Sequence, residues 1–95
     1  MSAYLVVDIE VTDSTSYEEY RKHVPALIAA QGGRYLVRGG RTELLEGNVA
    51  PNRTVILEFP SMEKLQAFYA SAEYAPLKQL RIGASNSRVF AVEGL

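Results

Sequence analysis

Two glycine pairs, Gly32-Gly33 and Gly39-Gly40, bracket the five residues Arg34-Tyr35-Leu36-Val37-Arg38. The first pair supplies a left-handed stop for whatever helix precedes it, and the second ends a strand-like run. The chain around residue 33 is therefore a helix, a tight turn and a short strand, and the rest of the fold has to be arranged about that unit. The run also carries an arginine at each end, and the face each one takes bears on function.

Upstream, "YLVVDIEV" alternates, with Leu5, Val7, Ile9 and Val11 on one face and Tyr4, Val6, Asp8 and Glu10 on the other, a period of two that marks a strand. Ser16-Tyr17-Glu18-Glu19 fits a capping box and predicts a helix start there. Tyr17, Tyr20, Val24, Leu27 and Ile28 recur at helical spacing as far as about Gln31, and Pro25 predicts a kink near Arg21 to Val24. Downstream, the strand from Arg34 is read as able to continue past the glycines through "TELLEG", followed by a loop at Asn48 to Asn52. "RTVILEF" is a third strand, with Val55, Leu57 and Phe59 opposite Thr54, Ile56 and Glu58. Pro60-Ser61 ends it and caps a second helix that turns Met62, Leu65, Phe68, Tyr69 and Ala72 inward. "EYAPLKQLR" reads as a further short helical segment broken by Pro76, and "SRVFAVEGL" as the last strand.

The order β-α-β-β-α-β is the split βαβ arrangement of α+β, ferredoxin-like folds: a four-stranded antiparallel sheet with its helices on one face, here one domain over residues 1–95. The other face is left open, with Val6, Leu36, Ile56 and Phe90 expected on it. Strands of about six residues at about 4.8 Å spacing make that face on the order of 400 Å², more semi-apolar surface than a monomer usually exposes. A core this small, in a chain without cysteine to staple it, points to a homodimer in which two such faces meet.

Ten basic and eleven acidic residues are scattered along the chain, which argues against a nucleic-acid or membrane-surface partner. The start "MSAYLVVDIEV" has no basic n-region and meets Asp8 early, and with the absence of cysteine this predicts a cytoplasmic protein. "RGGR" is no phosphate cradle, because no Gly-Lys-Ser/Thr follows it, and neither a nucleophile elbow nor a zinc-binding helix is present. With one histidine and no cysteine, no metal site or cofactor is expected.

The runs "HVPALIAAQGGRYLVRGG", "VILEFPS" and "FYASAEYAPLKQLR" resemble the uncharacterised family known as domain of unknown function 1330, within the dimeric α+β barrel superfamily. The resemblance covers nearly the whole chain and implies a ferredoxin-like homodimer whose sheets face each other. It implies no reaction, since superfamily relatives include cofactor-free oxygenases, isomerases, haem enzymes and ligand-binding regulatory domains.

If Tyr35 and Val37 face the helices, Arg34, Leu36 and Arg38 face the enclosure, where Arg38 meets Asp8 and Glu58. That trio predicts an anchor for a small organic acid or aromatic ligand, with Glu58 or Asp8 as a general acid–base, or alternatively a structural network at the dimer seam. Gly39 and Gly40 would mark a bulge that lets ligand approach the backbone. His23 beside Pro25 is a second candidate base, and Tyr20, Tyr69 and Tyr74 are core aromatics of which one can turn a hydroxyl into the pocket. Arg81 is read as a solvated helix residue and not as part of a site. These residues fit either an enzyme without a cofactor or a non-catalytic dimerisation or metabolite-binding module.

Overall fold

The computed structural model describes all 95 residues. Its elements are β1 (Ala3–Val11), α1 (Ser14–Ala30), β2 (Arg34–Arg38), β3 (Arg53–Phe59), α2 (Met62–Tyr69), α3 (Tyr74–Ala84) and β4 (Ser85–Glu93). The four strands form one antiparallel sheet in the order β2-β3-β1-β4, and the helices cover one face of it. Extents of 35 × 35 × 17 Å are those of a two-layer slab.

Alternation in β1 and β3 decides the core. Ala3, Leu5, Ile9, Leu57 and Phe59 turn to the helices and are buried, joined there by Val24 and Ile28 from α1, Leu65 and Phe68 from α2 and Tyr74 from α3. The aromatic rings stack through this layer, with Phe68 and Tyr74 centroids 4.5 Å apart and Phe59 and Phe68 5.5 Å apart. Such tilted pairs add about 0.5–1.5 kcal/mol each beyond the area they bury.

Helix α1 starts earlier than the capping-box reading has it. Asp13, not Ser16, is the N-cap, and its carboxylate accepts both the backbone N–H of Ser16 at 3.2 Å and the Ser16 hydroxyl at 2.9 Å. A carboxylate is the stronger acceptor and is further favoured by the positive end of the helix dipole. The helix is continuous on both sides of Pro25, where the buried Val24 and Ile28 hold it to the sheet. Its end is a Schellman turn: Gly33 N–H bonds Ile28 C=O and Gly32 N–H bonds Ala29 C=O, both at 2.9 Å, with Gly32 at φ +76°.

The remaining differences are local. Residues 40–52 form no strand, so the continuation through "TELLEG" does not occur. Pro76 does not break a helix; it is the third residue of α3, in the first turn, where its missing N–H costs nothing. Ala72 is exposed in the turn between α2 and α3, and β4 begins at Ser85, two residues before the predicted start. No helix is long and apolar enough to cross a membrane.

The consequential difference lies in β2. Arg34 pairs with Glu58 and Tyr35 with Leu57, but Val37 pairs with Ile56 and Arg38 with Val55, so Leu36 is an extra, unpaired residue. A one-residue bulge inverts every side chain after it. Val37 therefore joins Ile56, Val6 and Phe90 in a row across the open face, in place of Leu36, and Arg38 moves to the helix side in a row with Val55, Val7 and Val89.

Candidate functional site between the helices and the sheet

The bulge separates the predicted trio. Glu58 on the open face accepts from Arg34, with Nε and Nη2 both 2.7 Å from Oε1, and from the Tyr4 hydroxyl at 3.2 Å. The Arg34 guanidinium, helped by Tyr4, holds the Glu58 carboxyl below its usual range. Asp8 lies on the same face opposite Thr54, four residues along β1 from Tyr4, or about 13 Å at a strand rise of about 3.3 Å. It accepts the Asn52 backbone N–H at 2.9 Å and so fixes the end of the loop that leads into β3. Neither carboxylate shares a face with Arg38, so these three residues do not form the expected anchor.

His23 is 59 % exposed on the outer side of α1, with Nε2 3.2 Å from Glu19, and lines no cavity. Gly39 has φ +73°, and the guanidinium of Arg53 fills the space that a Cβ there would occupy. Gly40 has no atom near the corresponding position and opens the loop. The bulge is at Leu36, ahead of both glycines.

Arg38 instead lines a cavity between the helices and the sheet, and so do the expected Tyr20 and Tyr69. The walls are Leu5, Val7, Ile9, Val55, Leu57 and Val89 from the sheet and Val24, Ile28, Phe68 and five tyrosines, Tyr17, Tyr20, Tyr35, Tyr69 and Tyr74, around them. Its enclosed volume is small, about 50 Å³, room for a few waters, and the cleft opens to solvent past Arg38 and the exposed part of Arg21.

Four arginines line this apolar cleft, Arg21, Arg38, Arg53 and Arg81, and no carboxylate does. Arg81 is 4 % exposed and forms no ion pair; its guanidinium donates to the Ser87 hydroxyl at 2.5 Å and, more weakly, to the Tyr69 hydroxyl at 3.4 Å. Arg38 stacks on the Tyr35 ring, 4.5 Å from its centroid. Arg21 pairs with Glu18 at 2.7 Å through one nitrogen, while its buried Nε, like that of Arg53, has no partner. Buried charge left without a counter-ion is costly, and so is a buried N–H without an acceptor.

The tyrosines add neutral donors. Tyr20 and Tyr74 hydroxyls are 2.9 Å apart, so one of their two protons is shared between them and the other is free to reach into the cleft. Burial, reinforced by Tyr74, pushes the Tyr20 hydroxyl far above its ordinary value of 10.0, which keeps it protonated. Arg81, Arg21 and Arg53 line the cleft without having been expected there, and for Arg81 the sequence carried a signal. Tyr74, Leu77, Arg81 and Ala84 recur at steps of three and four, so the arginine sits on the buried stripe of α3.

With this geometry in place, the comparisons with known proteins give the family. The chain matches the family described as Domain of unknown function (DUF1330) over residues 2–95. It belongs to that family. No curated protein matches it. Among solved structures, a protein of unknown function from Rhodopseudomonas palustris is similar at a TM-score of 0.80 and 16 % identity, covering 99 % of this chain and 82 % of that one. SnoaB, a cofactor-independent oxygenase from Streptomyces nogalater, is similar at a TM-score of 0.65 and 14 % identity over 99 % of this chain and 93 % of that one. A dimeric ferredoxin-like protein of unknown function from Jannaschia sp. CCS1 has the same TM-score, 0.65, at 12 % identity over 99 % and 100 %. At these identities the likeness establishes the ferredoxin-like α+β fold of this DUF1330 chain and nothing finer.

The Arg34–Glu58 contact makes a pH prediction. Because the folded-state value lies below the ordinary 4.5, the contact stabilises fully above about pH 4.5 and loses that contribution as pH falls through the lower folded-state value. An NMR titration should place Glu58 below 4.5 in the wild type and return it toward 4.5 in Arg34→Gln; an unchanged value in the variant would show that Arg34 is not the cause.

Proposed function

We propose that this chain binds a small organic acid with an apolar or aromatic body in the cleft between its helices and its sheet. The observation that carries the reading is the lining itself: four guanidinium groups among tyrosines and aliphatic side chains, of which Arg21 alone pairs with a carboxylate, Glu18, while the buried Arg81 has none. An entering carboxylate would supply the missing counter-ion to Arg81, and the aromatic walls would bury its body. The enclosed part, about 50 Å³, admits the acid group alone, and the exposed Arg38 side chain moves aside at the mouth to admit the body.

Any chemistry at this site rests on Arg81 and the tyrosine hydroxyls, because neither a carboxylate nor a histidine lines it. A guanidinium and a neutral O–H donor suit stabilisation of an oxyanion developing on the bound acid. This leaves acid–base work by Glu58 or Asp8 without support from the geometry, while a reaction that needs no cofactor stays compatible with it. The same fold in a cofactor-independent oxygenase supports that class of chemistry by analogy only. A metabolite-binding module uses the same residues without turnover, and the cysteine-free composition suits either one in the cytoplasm.

Binding is tested by thermal shift with a panel of small carboxylates at fixed ionic strength. At 100 times the Kd, stabilisation of about 2.7 kcal/mol should raise the Tm of a domain this size by about 13 °C. The rise should vanish in Arg81→Met and persist in Glu58→Gln and Asp8→Asn. A response kept in Arg81→Met and lost in the open-face variants would place the ligand on the other side of the sheet.

The open face supports a homodimer. Phe90 is 49 %, Leu36 46 % and Val92 46 % exposed, near the half-buried Val6, Val37 and Ile56, and a structurally similar protein is itself dimeric. Light scattering should give twice the chain mass for the wild type and a monomer for Phe90→Asp; a wild-type monomer at micromolar concentration would overturn the assembly.

A further inference from the structure

We infer that the ligand carries two acidic groups, one at each end of its apolar body; this rests on the binding reading above and specifies its substrate class. The arginines of the cleft are not clustered but lie at opposite sides of the sheet. Arg81 is tied to Ser87 on the edge strand β4. Arg53 reaches the other way, its guanidinium packed against the backbone of Gly39 just beyond β2, the opposite edge strand. Arg38, from β2 itself, stands beside it over Tyr35.

Ser87 and Arg53 flank the same residue of β1, Ile9, so the two charged ends sit at one level of the sheet. Gly39 N–H bonds the Thr54 carbonyl, which puts the Arg53 guanidinium at that level too. From β2 to β4 is three strand spacings, roughly 14 Å at about 4.8 Å each. A guanidinium–carboxylate pair at each end takes up roughly 4 Å, leaving about 6 Å between the two acids. The floor between them is apolar, and Tyr20 and Tyr74 stand above it. A single carboxylate satisfies Arg81 and leaves the partnerless buried Nε of Arg53 as it is; a second acid about 6 Å away satisfies both.

The chemistry recognised is thus a dicarboxylate, or an acid with an ionised phenol or enol at the far end, on a body about one six-membered ring long. At the Arg81 end the acid is enclosed, and at the other end it lies between the half-buried Arg53 and the exposed Arg38, so charge there is read in a wetter setting and contributes less.

The test is titration calorimetry at fixed ionic strength with terephthalate, which has two acids across a ring, and benzoate, which has one. Terephthalate should bind at least tenfold tighter than benzoate to the wild type. Arg53→Gln combined with Arg38→Gln should abolish the preference, bringing terephthalate to the level of benzoate, and Arg81→Met should weaken both at least tenfold, with circular dichroism confirming the fold. Equal affinities in the wild type, or an unchanged preference in the Arg53 and Arg38 variant, would overturn the two-ended site while leaving the acid-binding cleft in place. No binding of either acid would remove both readings.

Discussion

One extra residue in β2 sets the relation between the two faces of this sheet. Strand pairing has a period of two, so the unpaired Leu36 leaves Arg34 on the open face and sends Arg38 to the helix side. The same slip puts Val37, in place of Leu36, into the apolar row with Ile56, Val6 and Phe90 across the open face. Without the bulge Leu36 would take Val37's place in that row, Arg38 would stand on the open face opposite Thr54, and the cleft would lose one of its arginines. An edge strand is where such a bulge costs least, since only one side of the ladder is disturbed.

The two faces then differ in how their charges are met. On the open side, Arg34 is balanced by Glu58 and Asp8 is engaged by the Asn52 amide. On the helix side, Arg81 is buried with only hydroxyl partners, and Arg53 and Arg21 each keep a buried N–H without an acceptor. Replacing buried ionic groups by apolar ones is often neutral or stabilising, so folding alone gives no reason for an arginine at position 81. An anionic ligand does give one, and it acts through the same low dielectric that makes the unpaired charge expensive.

Much of this architecture was legible in the residues. Period-two runs around Leu5 and Leu57, the helical stripe through Val24 and Ile28 and the stop at Gly32 are local patterns, and local patterns gave the βαββαβ order. Pairing register is not local. Nothing in "RYLVRGG" marks Leu36 as the extra residue, because a bulge is defined by the partner strand, and the glycines drew the expectation three residues too far along. The trio of Arg38, Asp8 and Glu58 failed partly for that reason, and partly because Glu58 opposite Tyr4 and Asp8 opposite Thr54 lie four residues apart along the sheet. Arg81 was hidden differently: its spacing from Tyr74 was visible, but a charged residue at the end of a short helix reads as solvated until α1 is packed over it.

Acid binding is proposed for the helix side of the sheet, at the arginines that the bulge and α3 place there. It is tested most directly by following arginine Nε–H resonances in NMR spectra as terephthalate is added. The resonances of Arg81, Arg53, Arg21 and Arg38 should move together along one saturable curve while those of Arg34 and Arg88 on the open face stay still. Shifts confined to Arg34 and Arg88 would contradict it, placing the ligand between facing sheets and leaving the buried charge of Arg81 without a functional explanation.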